Sequence, residues 1–371
     1  MKSSGDLRIL LLSDVNSSHT QKWANELASE GHRVAVFSLT SPEHDWYSEK
    51  QIQIFNFKKL NGRALTSTSL FKINYLRSLF FLRTIVKKFT PDIVHAHYAS
   101  SYGFLGALTG EKTFIVSAWG TDVYEFPNLN FLTRAILKYT FRRARFITAT
   151  GKNLASRAQL FTKKKIYIVP FGIDTEKFSP AEAGKAGMQI VIGSVKALEE
   201  IYAPDVLVKA FALCRQKMPE KEIKLLLVGK GSQKKNLSEL AEQLQISSNV
   251  ELTGYVPPER IVSQYRRIDI FVNVSRFESF GVSVLEASSC SIPVVASDAG
   301  GLKEVGVQGE TCLFVTPGNV EATAEAILTL IGHAEKRKEM GMKGRKFVKE
   351  NYSIGSSVKK MLDVYYTALQ Q

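Results

Sequence analysis

Two glutamates, Glu278 and Glu286, flank a Phe280-Gly281 step in the stretch SRFESFGVSVLEASSCSIPVVASDAGG, residues 275–301. A strand ends near Ser275, a loop carries Glu278, and Gly281 opens a helix on which Glu286 falls about a turn and a half along. Carboxylates near a helix start often only offset its dipole. The same terminus, however, offers free backbone N–H groups at Gly281, Val282 and Ser283, and glycine lets a phosphate approach them. Glu286 could then accept hydrogen bonds from sugar hydroxyls, as acidic residues do with ribose in dinucleotide folds. Three more loops share this character: DAGGLKEV (298–305), VGKGS (228–232) with Gly229 and Lys230, and GSVK (193–196) with Ser194 and Lys196. Any one is weak evidence, but four at the ends of strands of one sheet predict a phosphorylated ligand.

The elements that must position these loops are two successive α/β units. In the first half, LRILLLSDV, HRVAVFSL, PDIVHAHY, TFIVSAWG, ARFITAT and KKKIYIVPFG read as strands separated by helical patterns. In the second, MQIVIGSV, KLLLVGKGS, VELTGYV, IDIFVNVS and IPVVASD do so. That rhythm predicts two doubly wound parallel sheets, with ligands at the strands' carboxyl ends. The stretch PFGIDTEKFSPAEAGKAG reads as the linker. The terminal VKKMLDVYYTALQ is an amphipathic helix that must pack against something.

Among the histidines, His32 and His333 read as solvated helix-end residues and His44 as a loop residue. His95 and His97 are taken to alternate to opposite faces of one strand, with His97 nearer the strand end and the cleft. A buried, hydrogen-bonded His97 is the competing reading.

The 371 residues exceed one ordinary core, so two domains are expected. Hydrophobic content of 44% and charged content of 23% describe a folded, water-soluble chain. Cys214, Cys290 and Cys312 have no metal-ligand or redox spacing and read as thiols of a reducing cytosol. The first apolar run, Ile9–Leu12, is too short for a signal sequence, and no segment has the roughly 20 apolar residues of a membrane span.

The net charge of +14 is uneven. Through Pro180 there are 25 Lys and Arg against 13 Asp and Glu, a net of +12. The first half therefore expects an anionic partner. Within it, TSTSLFKINYLRSLFFLRTIVKKFTP interleaves Phe71, Tyr75, Leu79, Phe80, Leu82, Ile85 and Phe89 with Lys72, Arg77, Arg83, Lys87 and Lys88. It reads either as a domain helix with a solvated basic face or as a helix lying on an anionic membrane.

Over essentially its whole length the sequence resembles the retaining GT-B glycosyltransferases of family 4 (glycosyl transferases group 1). The resemblance is carried by ESFGVSVLEASSCSIPVVASDAGGLKEV, VPFGIDTEKFSP, LLLVGKGS, VELTGYVPPERI and, less specifically, PDIVHAHY. It implies two Rossmann-like domains facing across a cleft. Residues 1–175 would bind the acceptor, 176–352 the nucleotide sugar, and helix 353–371 would pack back on the first domain.

It also implies roles. Glu278 would stand beside the donor sugar and Glu286 would hold the ribose. The backbone of Phe280, Gly281 and Val282 would bind sugar and diphosphate, and Lys196 would neutralise the leaving group. Gly229, Lys230, Ser194 and Ser283 would complete the donor site, and Val256 would border the base. In the first domain Asn16, His19, His97, Trp119, Gly120 and Asp122 would face sugar and acceptor, with an acid/base or hydroxyl-holding role for Asp122 or His97. The expected chemistry is α-retaining, cofactor-free and metal-free transfer, there being no Asp-x-Asp pair. The donor would be a UDP-sugar rather than a GDP-sugar. The acceptor would be a glycan or polyprenyl-diphosphate-linked, in bacterial surface-polysaccharide synthesis. The protein would be cytoplasmic and peripheral at the plasma membrane, through its basic first half.

Ile201 departs from the pattern by standing where a second basic residue is expected, so weak or lost transfer is an alternative, with Lys230 as a substitute cation. A dehydrogenase reading fails because Gly229-Lys230-Gly231 lacks the third glycine of the dinucleotide fingerprint. A nucleic-acid module is disfavoured because no recognition motif accompanies the positive charge.

Overall fold

A computed structural model describes residues 6–57, 68–181 and 189–370, so part of the expected linker (182–187) and the start of the basic segment (66–67) lie outside the described residues. The chain divides into two compact units, residues 1–171 with 357–371, and residues 172–356.

The first unit is a seven-stranded parallel sheet in the order β3-β2-β1-β4-β5-β6-β7. Its strands are β1 (Arg8–Leu12), β2 (Arg33–Ser38), β3 (Gln53–Asn56), β4 (Ile93–His97), β5 (Phe114–Ala118), β6 (Phe146–Ala149) and β7 (Ile166–Ile168). The crossovers run through α1 (Ser18–Ser29), α2 (Thr68–Phe89), α3 (Ser101–Thr109), α4 (Thr121–Tyr124), α5 (Phe131–Arg143) and α6 (Lys152–Ala158). Every residue of β4 and β5 is buried, the signature of a sheet covered on both faces.

The second unit has six parallel strands in the order β10-β9-β8-β11-β12-β13. They are β8 (Ile190–Val195), β9 (Ile223–Val228), β10 (Val250–Gly254), β11 (Ile270–Asn273), β12 (Val294–Ser297) and β13 (Cys312–Val315). Helices α7 (Pro204–Lys217), α8 (Lys234–Gln243), α9 (Ile261–Tyr265), α10 (Val282–Ser289), α11 (Val320–Gly332) and α12 (Ala334–Asn351) surround it, and α13 (Ile354–Gln370) follows. In both sheets the first strand lies between the second and the fourth, so the chain reverses its winding there. Such a switch point is where α/β sheets bind ligands.

Contacts place the unit boundary at Phe171/Gly172 rather than after residue 175. The Phe171 ring stacks on His19 and belongs with the first unit, whereas Ile173 bridges Ser353 and belongs with the second. The return occurs at Ser357, inside α13, rather than at residue 353. Beyond it Tyr365 is fully buried, and its hydroxyl meets His95 Nδ1 at 2.6 Å.

Helix α2 resolves its two readings in favour of a core helix. Leu79, Leu82, Ile85, Val86 and Phe89 are buried in the first unit's core, while Arg77, Arg83, Lys87 and Lys88 are exposed. Burying five such side chains is worth roughly 10 kcal/mol of transfer free energy, more than a membrane surface could return by drawing them out. No helix among the described residues is long and apolar enough to cross a membrane. The three cysteines are free and buried.

Candidate functional site

In the second unit, the switch point between β8 and β11 brings together residues 82 positions apart: the Lys196 ammonium forms an ion pair with Glu278. Lys196 follows β8, held by its N–H to Val228 O at 2.9 Å, and its Nζ lies 4.3 Å from the centre of the Tyr202 ring. Glu278 is buried in the loop after β11, with only about a tenth of its side chain exposed. Helix α10 begins at Gly281, whose φ of +106° is a left-handed conformation that favours glycine. Among the described residues the N–H groups of Gly281, Val282 and Ser283 meet no backbone acceptor outside the helix. The Ser283 hydroxyl lies 3.4 Å from Asn273 Nδ2. The Phe280 ring is buried against Tyr352 and so does not face a ligand. Glu286 accepts the Tyr265 hydroxyl at 2.7 Å, and burial with the neighbouring Glu286 charge keeps that phenol protonated.

Two of the four loops are corrected. Gly301 does not offer a free N–H, because it donates to Glu278 O at 2.8 Å. A side chain at Gly300 would meet the Glu278 carbonyl, and one at Gly301 the Ser279 carbonyl. The Gly-Gly step thus lets two backbones touch and fixes Glu278. The Gly229 N–H is likewise occupied by Gly254 O at 3.0 Å, and Gly229 is pressed against the Lys196 carbonyl. Leu198 N–H to Lys230 O and the Ser232 hydroxyl to Glu199 lock this loop to the one after β8. These glycines position Lys196 rather than cradle phosphate.

The remaining expected residues are more peripheral. Ser194 lies within β8, and Val256 is partly buried in the loop after β10. Lys230 Nζ stands 5.1 Å from the Tyr255 ring centre. Ile201 is 45% exposed, and its carbonyl receives the Arg276 N–H at 2.8 Å. Arg276 is a cation beside the same turn that the sequence reading missed; its only signal was its place before Glu278. Among the described residues no group of three metal-ligating side chains forms.

In the first unit the first turn of α1, the end of β4, the loop after β5 and the segment after β7 assemble an aromatic group. His19 stacks on Phe171 with ring centres 3.9 Å apart, and His97 stacks on Trp119 at 4.5 Å. Trp119 meets Phe171 edge-on at 5.3 Å. Phe171 was not singled out, because nothing in its local sequence distinguishes it from linker. His95 and His97 do not face opposite sides: their rings are 4.6 Å apart, since a two-residue step returns a strand side chain to the same face. His97 Nδ1 is buried and meets no hydrogen-bond partner among the described residues. Tyr98 follows with φ +79°, an uncommon conformation for a bulky residue and a mark of strain where a strand delivers its loop.

Asp122 and Asn16 are reassigned. Fully buried Asp122 accepts N–H groups from Ala99 (2.6 Å), Gly120 (2.7 Å) and Trp119 (3.2 Å). Its carboxylate therefore holds the Trp119–Gly120 loop and is not placed to exchange a proton with a ligand. Asn16 donates to Ser41 O and accepts from Glu43 N, closing one loop on another. His32 is buried rather than solvated, with Nδ1 facing the Leu7 N–H at 3.3 Å. It lines a basic cavity of about 740 Å³ with Arg8, Arg33, Lys50 and Lys88, at the opposite edge of the sheet from these loops.

These buried histidines predict an acid-labile first unit. Burial pushes His19 and His95 down to about 3 and lowers His97 and His32. Their neutral forms are favoured in the fold, so their contribution is complete above about pH 6.5 and is lost as pH falls toward 3. Asp122 opposes them: burial raises it to about 6, so its penalty is relieved as pH falls from 6 to about 4. Four lowered histidines outnumber one raised carboxyl, so unfolding takes up protons and stability of the first unit is expected to fall as pH drops through 6 toward 4.5. All three tryptophans (Trp23, Trp46, Trp119) lie in this unit, so urea titrations followed by tryptophan fluorescence read it alone. A pH-independent midpoint between 7 and 4.5 would refute the expectation.

Residues 175–347 match the family Glycosyl transferases group 1, and residues 8–151 match Glycosyl transferase 4-like. The D-inositol 3-phosphate glycosyltransferase of Nocardia farcinica is 30% identical over 239 residues, 61% of this chain and 53% of that protein. The chain thus spans about half the length of the first curated relatives it matches. Among solved structures, a glycosyltransferase from Rickettsia africae superposes with a TM-score of 0.81 at 20% identity, covering 100% of both chains. HepE of Anabaena, solved in complex with UDP and glucose, gives 0.78 at 15% identity, covering 97% of this chain and 100% of that one. At such identities the likeness is one of fold. The two family matches together take in most of the chain, which therefore consists of a Glycosyl transferase 4-like domain followed by a Glycosyl transferases group 1 domain and has the GT-B glycosyltransferase fold.

Proposed function

We propose that the chain transfers a sugar, with retention of anomeric configuration, from a nucleoside-diphosphate sugar to a glycan or polyprenyl-diphosphate-linked acceptor. The setting is bacterial cell-surface polysaccharide synthesis, at the cytoplasmic face of the plasma membrane. The observation that carries this reading is the Lys196–Glu278 ion pair at the switch point of the second sheet, beside the open start of α10. As the sugar departs, negative charge grows on the diphosphate, and the Lys196 ammonium with the N–H groups of Gly281, Val282 and Ser283 stabilises it. Glu278 supports the cationic sugar and orients its hydroxyls. The leaving phosphate oxygen takes the acceptor's proton on the same face. Glu286, held by Tyr265, receives the ribose. In this reading Lys196 and the helix start act in place of a bridging metal.

A UDP-sugar is read in preference to a GDP-sugar, supported by the Anabaena neighbour solved with UDP and with UDP-glucose. A second reading, nucleotide-sugar binding with weak transfer, is favoured only by exposed Ile201 where a cation is expected. A thermal-shift panel of nucleotide sugars, with and without a divalent cation, tests the proposal. At a hundredfold excess over Kd a donor adds about 2.7 kcal/mol to the unit that binds it, a shift of several degrees. UDP-sugars should give that shift without metal, and a panel in which only NAD(P)H stabilises the protein would end the proposal.

A further inference from the structure

We propose that the first unit docks on an anionic lipid surface through an apolar tip formed by Leu129, Phe131, Leu132 and Leu160. This names a surface for the membrane setting of the proposed function and rests on that setting, not on the transfer chemistry. The basic first half drew attention to α2, but the apolar face of that helix is buried in the core. Among the described large apolar side chains of α2 only Phe80 (68%) and Phe81 (37%) are exposed, whereas four apolar side chains stand out around α5: Leu129 is 70% exposed, Phe131 87%, Leu132 56% and Leu160 61%. Side chains this large protrude into water at a cost unless something covers them.

The tip is built to be presented rigidly. Asn130 and Thr133 form a reciprocal capping box, with Asn130 Oδ1 accepting the Thr133 N–H at 3.0 Å, so Phe131 and Leu132 emerge from a fixed first turn of α5. Asn128 ties the preceding turn to Tyr124 O at 2.6 Å and receives Arg157 at 3.4 Å. Leu160 joins through its neighbour Phe161, whose ring lies under both the Arg134 and Arg157 guanidiniums, at 5.6 and 5.9 Å. Two cations therefore converge on the Phe161 ring, next to Leu160.

Charge selects the occupant. Residues 126–173 contain ten Lys and Arg and no Asp or Glu. Arg134, Lys138, Arg142, Arg143, Lys152 and Lys163 among them are exposed. Each cation near an anionic bilayer contributes about 1 kcal/mol, and the apolar tip enters the headgroup boundary below them. A second copy of this surface would set cation against cation, and a nucleic acid offers no place for protruding leucine and phenylalanine. The tip follows α4 and the Trp119–Asp122 loop by a few residues, so docking would hold that loop at the lipid surface.

The test uses the full chain with phosphatidylcholine vesicles, with and without about a third phosphatidylglycerol, in flotation assays. Wild type should bind the anionic vesicles and release at high salt. Phe131→Ser/Leu132→Ser should lower binding by on the order of tenfold or more, with unchanged tryptophan fluorescence and unchanged nucleotide thermal shift. Arg134→Glu/Lys138→Glu, an independent surface pair, should do the same. Phe80→Ser, at the exposed aromatic of α2, should bind as wild type. Undiminished binding by both tip variants overturns the proposal, as does a loss confined to Phe80→Ser. A wild-type dimer that the Phe131→Ser/Leu132→Ser variant converts to monomer, without vesicle binding by either, also overturns it. Failure of the nucleotide panel with vesicle binding intact would touch the transfer reading alone.

Discussion

Replacing Glu278 with alanine is expected to slow sugar transfer by about a hundredfold or more while leaving UDP affinity unchanged or up to about tenfold tighter. The direction follows from the ion pair. Without ligand the Lys196 charge is already compensated by Glu278, with 21% and 10% of the two side chains exposed. A diphosphate approaching Lys196 must therefore compete with a carboxylate and meets its repulsion. Alanine removes both obstacles and leaves an uncompensated ammonium that only the diphosphate can pair. Transfer suffers because the carboxylate that would face the oxocarbenium-like sugar is gone.

Lys196→Ala should behave oppositely, weakening UDP and slowing transfer together. Glu286→Ala should weaken the nucleotide, because the ribose loses its acceptor and the buried Tyr265 hydroxyl loses its partner. Titration calorimetry with UDP beside initial rates with the donor separates these outcomes. Near wild-type transfer by Glu278→Ala would remove Glu278 from the chemistry. A loss of UDP binding greater than tenfold would make it a binding or folding residue instead.

The second large effect is expected at a residue that touches no ligand in this account. Gly300→Ala should destabilise the second unit by about 3 kcal/mol, lowering its Tm by roughly 10 °C. Gly300 has φ +53°, and a methyl group there would collide with the Glu278 carbonyl. The adjacent Gly301 N–H to Glu278 O bond, at 2.8 Å, holds the two loops at that separation. Since no side chain at this place can rotate away, the backbone must move, and Glu278 moves with it. Differential scanning calorimetry, which resolves two units of similar size, checks the prediction together with the transfer rate. A variant with unaltered Tm and activity would show that the contact tolerates a methyl group and that the Gly-Gly step has another purpose.

Much of the fold was legible because parallel strands covered on both faces must be nearly continuous apolar runs. LRILLL, DIVHAH and KLLLV could hardly be anything else. Strands β3 and β13 escaped notice. Each is an outermost strand of four residues, QIFN and CLFV, with only partial burial, and such a short run lacks a period to detect. The glutamate pair and Lys196 were legible from residue type and from their places at strand ends. The purpose of the glycines was not, because a φ above zero and a close backbone approach leave the same mark in a sequence as a phosphate loop. Asp122 was misread for a similar reason: a carboxylate looks the same whether it faces a ligand or gathers three backbone N–H groups.

By itself the sequence determined two doubly wound units, the helix opening at Gly281, and a first half that is strongly cationic. Those are matters of period, composition and local turn chemistry, each confined to a few tens of neighbouring residues. Tertiary structure alone decided that Lys196 would find Glu278 and that His97 would meet Trp119. It also decided that Phe171 would stack on His19, and that α2 would bury Leu79, Leu82, Ile85 and Phe89 while Phe131 and Leu132 stayed exposed. These pairings join distant stretches of chain across strand ends. Which side chain closes on which depends on strand order and loop packing, quantities that no local window of residues contains.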